Sequence, residues 1–405
     1  MWDTGLIMFV SLLVLLVWRY FFPFVFLTDR LRQANYSVVL YFLLAVLFIY
    51  DTTLFVTTAL NQDGKSSWAG LPRWLRPLIL ASPGVLFVTL MMCFSQTGLH
   101  LLKVRSGDAA SFHDQVIQVL ALPAVYGSMA FSSLTRLYQS HVHDFVDDPS
   151  MASMSPSDQQ QVALSRSETS FFVGDLFEAW TLYHFGKMTL DVIEASLRRE
   201  RSSGEGDIRA EASGMMKSHG AVWAMVWASV LMFLLVSFAQ VGWSFYLLNF
   251  ASVSSTDDFE ESLQVFTGAG FVASGIALWN IAVIERTFHE KLEGYSPLLK
   301  FITVKILVSF AYVQKGCFYV LTALQSTLPH EGQALAKKVP FFGDIMQMDQ
   351  AHFDLFYAAL MVMECFLVSG LHLIAWQSGE DWYEKAHLLD ESTPLMTEEK
   401  KLQSA

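Results

Sequence analysis

Nine long stretches of predominantly apolar residues constrain this chain more than any other feature. A helix crosses the hydrocarbon core of a bilayer with about 20 apolar residues, whereas a membrane strand needs only about 10. The sequence therefore predicts an all-α fold, a polytopic transmembrane helix bundle with about nine spans. The predicted spans are residues 6–28, 37–60, 77–102, 115–136, 169–195, 220–249, 262–284, 298–325 and 351–376.

Composition supports the same class and argues against others. Of the 405 residues, 53% are hydrophobic and only 16% are charged, which is typical of a membrane protein. The net charge of −12 comes without a clustered basic patch, so nucleic acid is not an expected partner. Cys93, Cys317 and Cys365 all fall inside predicted spans and predict neither a disulfide framework nor a zinc site. No cofactor is expected.

Loop charge predicts the orientation, because short cytoplasmic loops retain Lys and Arg. Residues 196–218 carry four Arg and one Lys, whereas 137–165 and 251–261 carry none. Residues 196–218 are therefore predicted to be cytoplasmic. Alternation of the spans from this loop places the amino terminus outside and the carboxyl terminus in the cytosol. The polar stretches 146–168 and 201–214 are interpreted as mobile, solvated loops.

Four ionisable residues lie in the fifth predicted span, within the segment DLFEAWTLYHFGK: Asp175, Glu178, His184 and Lys187. Ionisable groups inside a membrane usually mark a solute or ion path. Asp175 and Glu178 share one helix face, whereas His184 lies about 180° from Asp175. The alternatives are that the two acids fix helix packing by pairing with Lys305 or a backbone group, and that His184 is an interhelical hydrogen-bond partner.

The eighth and ninth predicted spans add further candidates. Lys305, Ser309 and Tyr312 fall on one face of the eighth helix. A lysine at such a position must be paired, snorkelling or wet, so water access and a fixed pair with Glu364 are both open. Glu364 and His372, on the ninth helix, face about 80° apart and do not form a metal pair.

Depth along the helices gives a further expectation. Glu178 and Glu364 fall near the bilayer midplane, and Lys187 and Lys305 fall nearer the cytoplasmic side. This arrangement would suit an anionic or zwitterionic amphipath that moves past a polar seam.

Metal chemistry has little support in the sequence. His141, His143 and Asp144 form a compact group in a predicted outside loop, a candidate low-affinity metal or proton-sensing patch. Only His184 and His372 lie deep in the spans, too few for a three-ligand catalytic zinc site unless carboxylates complete it.

The chain resembles the organic solute transporter alpha family over residues 77–376. The strongest similarity is DLFEAWTLYHFGK, which is similar to the family's Arg-Asp-x-Tyr-Glu-Ala-Phe segment; here Gly174 stands in place of the Arg. The next is LKFITVKILVSFAYVQ, residues 299–314, where Val313 replaces the family's Trp. Weaker similarities cover residues 122–134 and 363–372. The positions that match the family's polar intramembrane residues are Asp175, Glu178, Lys300, Lys305, Gln314 and Glu364.

The resemblance implies a core of seven helices at 77–376, with two added helices in residues 1–76 and an acidic cytoplasmic tail at 377–405. It implies facilitated, ATP-independent movement of sterol-like or other amphipathic organic anions. It also implies membrane lipids and an amphipathic organic solute as partners, with a single-pass beta-type subunit and a homo-oligomer as open alternatives.

The tail carries an acidic dileucine pattern, formed by Glu384, Leu388 and Leu389. Such patterns direct proteins to endosomal or vacuolar membranes. The expected location is therefore an endosomal or vacuolar membrane, with the plasma membrane as the alternative.

Three function classes remain open. A transporter needs a wet seam around Glu178, Lys305 and Glu364. An endomembrane scaffold or receptor-like protein needs these charges only as fixed pairs. An intramembrane lipid enzyme, the least favoured class, needs a bound metal or an activated nucleophile.

Overall fold

The computed structural model describes residues 4–21, 29–61, 71–106, 109–142, 155–203, 206–249, 256–292, 295–327 and 341–383. Within these ranges the chain is helical and contains no strand, as predicted. The helices are α1 (Thr4–Phe21), α2 (Asp29–Asn61), α3 (Leu75–Ser106), α4 (Ala110–Leu120), α5 (Leu122–Val142), α6 (Pro156–Ser203), α7 (Gly206–Asn249), α8 (Thr256–Thr287), a 3₁₀ helix (His289–Leu292), α9 (Pro297–Thr327), α10 (Phe342–Met346) and α11 (Gln350–Ala375).

In the described part of the chain, five helical segments are long and apolar enough to cross a membrane. They are Tyr36–Asn61, Leu75–Ser106, Ala110–Val142, Gly220–Leu248 and Gln350–Ala375. Each coincides with one of the nine predicted spans. Predicted spans 169–195, 262–284 and 298–325 also fall on helices, as do residues 6–21 of the first span, whose residues 22–28 lie outside the described residues. The structure does not bear out a count of nine.

The segment formed by α4 and α5 is the centre of the bundle, and the whole of its apolar stretch is buried. The sequence predicts one span here, but the helix is interrupted at Ala121. Pro123 follows as the second residue of α5, where a missing backbone N–H is tolerated. Helices α2, α3, α6 and α11 pack around this segment. The apolar stretch of this segment therefore contributes no outer surface to the described bundle.

Helix α6 has 48 residues, about 72 Å at 1.5 Å per residue, well beyond the roughly 30 Å of a hydrocarbon core. The predicted loops 146–168 and 201–214 are wrong over most of their described residues, because α6 begins at Pro156 and α7 at Gly206. Ser155 accepts a hydrogen bond from the backbone N–H of Asp158 at 3.3 Å, and proline follows it as the first helical residue. The polar composition of residues 146–168 indicated a solvated loop, but a Ser cap followed by proline favours the start of a helix.

Buried hydroxyl groups in these helices bond to the carbonyl four residues earlier. Examples are Ser128 to Ala124, Thr135 to Phe131 and Thr181 to Phe177, at 2.8 to 2.9 Å. This local bond satisfies the hydroxyl without a second helix. Polar residues can therefore occupy the bundle interior where no water is at hand.

Candidate functional site

The candidate site is centred on Lys305, whose ammonium group is buried where four helices meet. Its Nζ donates to Oε1 of Glu178 on α6 at 2.8 Å and also to Oγ of Ser274 on α8. The ring centre of Phe233 on α7 lies 5.7 Å from Nζ. The exposed fractions of Lys305 and Glu178 are 5% and 0%. We refer to Lys305, Glu178 and Ser274 as the charge cluster.

Lys305 therefore pairs with Glu178, and the alternative of a fixed pair with Glu364 is wrong. Nine residues separate Lys305 from Gln314, so the two lie about 180° apart on α9. Gln314 faces α11 and donates from Nε2 to Oε1 of Glu364. The sequence placed Lys305 nearer the cytoplasmic side than Glu178. In the structure, the Lys305 ammonium group lies level with the Glu178 carboxylate, because the two are hydrogen-bonded.

Glu178 retains an unused binding capacity. Its Oε2 atom is buried, and no hydrogen-bond partner reaches it within the described residues. A carboxylate can accept from several donors, so this oxygen is a place where a donor group of a solute or a water molecule could bind.

Asp175 does not join the charge cluster but bonds to the central helix. The hydroxyl of Tyr126 on α5 donates to Oδ1 of Asp175 at 3.0 Å. The Tyr126 ring lies against Gly174, where an added Cβ would come within 2.9 Å of two ring atoms. This contact explains why glycine, rather than a larger residue, precedes Asp175 in this chain.

His184 and Lys187 lie on other faces of α6. His184 is 2% exposed and packs edge-on against Trp180 and Tyr183, with ring centres 4.7 and 5.1 Å away. Lys187 is half-buried and lies nine residues from Glu178, on the opposite side of the helix. The structure thus separates these two candidates from Lys305.

Of the remaining candidates, His372 lies at the contact between α9 and α11. The Nε2 atom of His372 lies 3.2 Å from the carbonyl oxygen of Thr303. Gln96 donates to the His372 carbonyl at 2.7 Å, so His372 joins three helices. Ser309 is half-buried, and the side chain of Tyr312 lies outside the described residues.

A second buried lysine is surrounded by aromatic rings. Lys300 donates to Oε2 of Glu380 at 2.6 Å, and the ring centres of Tyr295, Trp376 and Trp382 lie 5.1 to 5.7 Å from its Nζ. Burial raises the pKa of the Tyr295 hydroxyl above its ordinary value. The sequence analysis missed Glu380 and Trp382, because they follow the last span in a segment interpreted as tail. Their only sequence signal is the local cluster Glu380-Asp-Trp-Tyr.

No catalytic metal centre is visible in the part of the chain that the structure describes. There, no three side chains of His, Cys, Asp or Glu come together as metal ligands. His143, Asp144, Glu384, Leu388 and Leu389 lie outside the described residues.

The family model described as organic solute transporter Ostalpha matches residues 163–381. The matched region holds the charge cluster, Gln314, Glu364, Lys300 and Glu380, but neither Trp382 nor residues 122–134. No curated protein and no solved structure matches the chain.

Proposed function

Because the chain belongs to the organic solute transporter Ostalpha family, whose model covers more than half of it, we propose that it moves amphipathic organic anions across a membrane. The movement would be facilitated and independent of ATP, and sterol-like anions are the first solutes to test. The family is one of transporters rather than enzymes.

The observation that carries this proposal is the buried charge cluster. Lys305 is a fixed positive charge enclosed by α6, α7, α8 and α9, and Glu178 acts as its internal counter-ion. Separating such a pair in a low-dielectric interior is costly. An incoming anionic headgroup lowers that cost by replacing Glu178 beside the ammonium group, so anions are favoured over neutral solutes.

The ion pair of Lys305 with Glu178 is also what a scaffold or receptor-like protein would need, since in that case the two charges only hold the helices together. A charge swap tests this directly, with Glu178 as the partner: Lys305→Glu combined with Glu178→Lys. If the swapped protein folds and moves anions normally, a fixed pair is sufficient and Lys305 is not the anion site.

The main test is flux of labelled amphipathic anions, sterol conjugates among them, in proteoliposomes that contain this protein alone. We expect flux to be lost in Lys305→Met and in the charge-free double variant Glu178→Gln with Lys305→Met, which removes both buried charges together. Lys187→Met is the matched control and should retain flux. Normal flux in a folded Lys305→Met protein would refute the assigned role.

Four finer statements accompany the proposal. Residues 77–376 form the transport core, residues 1–76 add two helices, and residues 377–405 form a cytoplasmic tail. The amino terminus lies outside, and the protein resides in endosomal or vacuolar membranes or at the plasma membrane. It contacts membrane lipids and acts with a single-pass beta-type subunit or as a homo-oligomer. Flux by the protein alone would exclude an obligatory beta-type subunit.

A further inference from the structure

A cavity of about 120 Å³ lies where the end of α5 meets the starts of α6 and α11. This is more than enough room for several water molecules. Its lining includes one carboxylate and no Lys or Arg, so its charge favours cations. The lining residues are Leu137, Ser140, His141, Gln160, Asp349, Ala351, His352 and Leu355.

His352 is held in one orientation by Asp349. The Asp349 Oδ1 atom lies 2.8 Å from Nδ1 of His352 and also accepts from the His352 backbone N–H at 2.8 Å, capping α11. A carboxylate only accepts hydrogen bonds, so when the ring carries a single proton, that proton is on Nδ1 and the lone pair is on Nε2. This Nε2 is buried, and in the described residues it has no hydrogen-bond partner.

His141 supplies a second imidazole beside the first. The ring centres of His141 and His352 are 5.1 Å apart, with planes inclined at 70°. Two imidazoles that share a tetrahedral zinc ion, with Zn–N distances of about 2.0–2.1 Å, hold their ring centres roughly 5 Å apart. The observed separation therefore suits a shared metal ion.

We propose that His141 and His352 bind a divalent transition-metal ion, with Zn²⁺ as the first candidate, in this cavity. Imidazole nitrogen suits Zn²⁺, whereas Mg²⁺ and Ca²⁺ prefer oxygen ligands. Asp349 acts as a positioning residue, as carboxylates do behind metal-bound histidines. Two protein ligands leave coordination positions for water, so the ion is exchangeable. It ties the end of α5 to the start of α11.

The test is titration of the purified full chain in detergent with ZnCl₂, followed by isothermal calorimetry and by the thermal unfolding midpoint. We expect zinc, but not MgCl₂, to bind and to raise the midpoint. Both effects should disappear in His141→Gln and in His352→Gln. The matched control is His289→Gln, which changes an exposed histidine on the 3₁₀ helix and should leave zinc binding unchanged.

Asp349→Asn tests the positioning role of Asp349 apart from its role in folding. Asparagine caps a helix as well as aspartate does, but it does not provide the carboxylate that orients the His352 ring. We expect this variant to keep the unfolding midpoint of the metal-free protein and to bind zinc about 10–100-fold more weakly. Zinc binding that is absent in the wild type, or undiminished in either histidine variant, would overturn the proposal. Neither result depends on the transport function.

Discussion

At the scale of single residues, the stability of the charge cluster depends on keeping its two charges together. Lys305 and Glu178 are almost wholly removed from solvent, so each depends on the other for the electrostatic energy that replaces hydration. Removal of one partner leaves an uncompensated charge in the interior, whereas removal of both leaves none.

This reasoning predicts a non-additive double-mutant cycle. Glu178→Gln and Lys305→Met should each lower the free energy of unfolding by about 3–5 kcal/mol, and the double variant should be more stable than either single variant. The free energies of unfolding of the wild type, the two single variants and the double variant would be measured by thermal or denaturant unfolding in the same detergent. A double variant whose loss equals the sum of the two single losses would show that the residues are not coupled.

At the scale of elements, the contact between α5 and α6 depends on a close approach at one glycine. The Tyr126 ring occupies the space where a side chain at position 174 would begin. Tyr126 is 1% exposed and its hydroxyl is engaged by Asp175, so the ring cannot move aside easily.

We therefore expect Gly174→Ala to destabilise the protein by about 1–3 kcal/mol, as overpacking does. Gly98→Ala in α3 is the control, because no atom lies within 4 Å of its added Cβ. That change should be neutral or stabilising by about 0.5–1 kcal/mol, since alanine favours helices more than glycine does. Unfolding midpoints of the two variants distinguish the effects, and equal midpoints would contradict the packing argument.

The elements also show what sequence can predict in this chain. Apolar length located five spans, because hydrophobic length is a local property. The pairing of Lys305 with Glu178 rather than with Glu364 depends on which helices face each side of α9, and this is a tertiary property. The start of α6 at Pro156 was missed for another reason, since polar residues form helices as well as loops.

For the candidate site, too, the sequence identified individual residues but not which of them pair. Family resemblance identified Lys305, Glu178, Gln314 and Glu364 as polar positions, and the structure arranges them as two separate pairs. Ser274 and Phe233 carry no signal in a single sequence, because serine and phenylalanine are common in any membrane helix.

At the scale of the whole molecule, side chains of residues 377–383, which follow α11, pack back onto the helices. Glu380 bonds to Lys300, and the Tyr383 ring stacks on His113 at 4.0 Å between ring centres. Glu384 follows directly, so the dileucine pattern begins immediately beyond this anchored segment.

We expect Leu388→Ala combined with Leu389→Ala to move the protein from internal membranes to the cell surface, because adaptor binding requires the two leucines. Fluorescence microscopy and surface biotinylation would measure the change. Replacement of Leu402 by Ala, also in the tail, is the matched control. Unchanged compartments in the double variant would remove the sorting role.

The buried position of α4 and α5 has a consequence for biosynthesis. Residues 110–142 leave the ribosome before α6 and α11 exist, although these two helices are among those that enclose them. Until α6 has been made, Gln115 lacks its hydrogen-bond partner Asp191 and Ser133 lacks its partner Ser167. The centre of this protein is thus made before the helices that enclose it, and among the described helices α11 is the last to reach it.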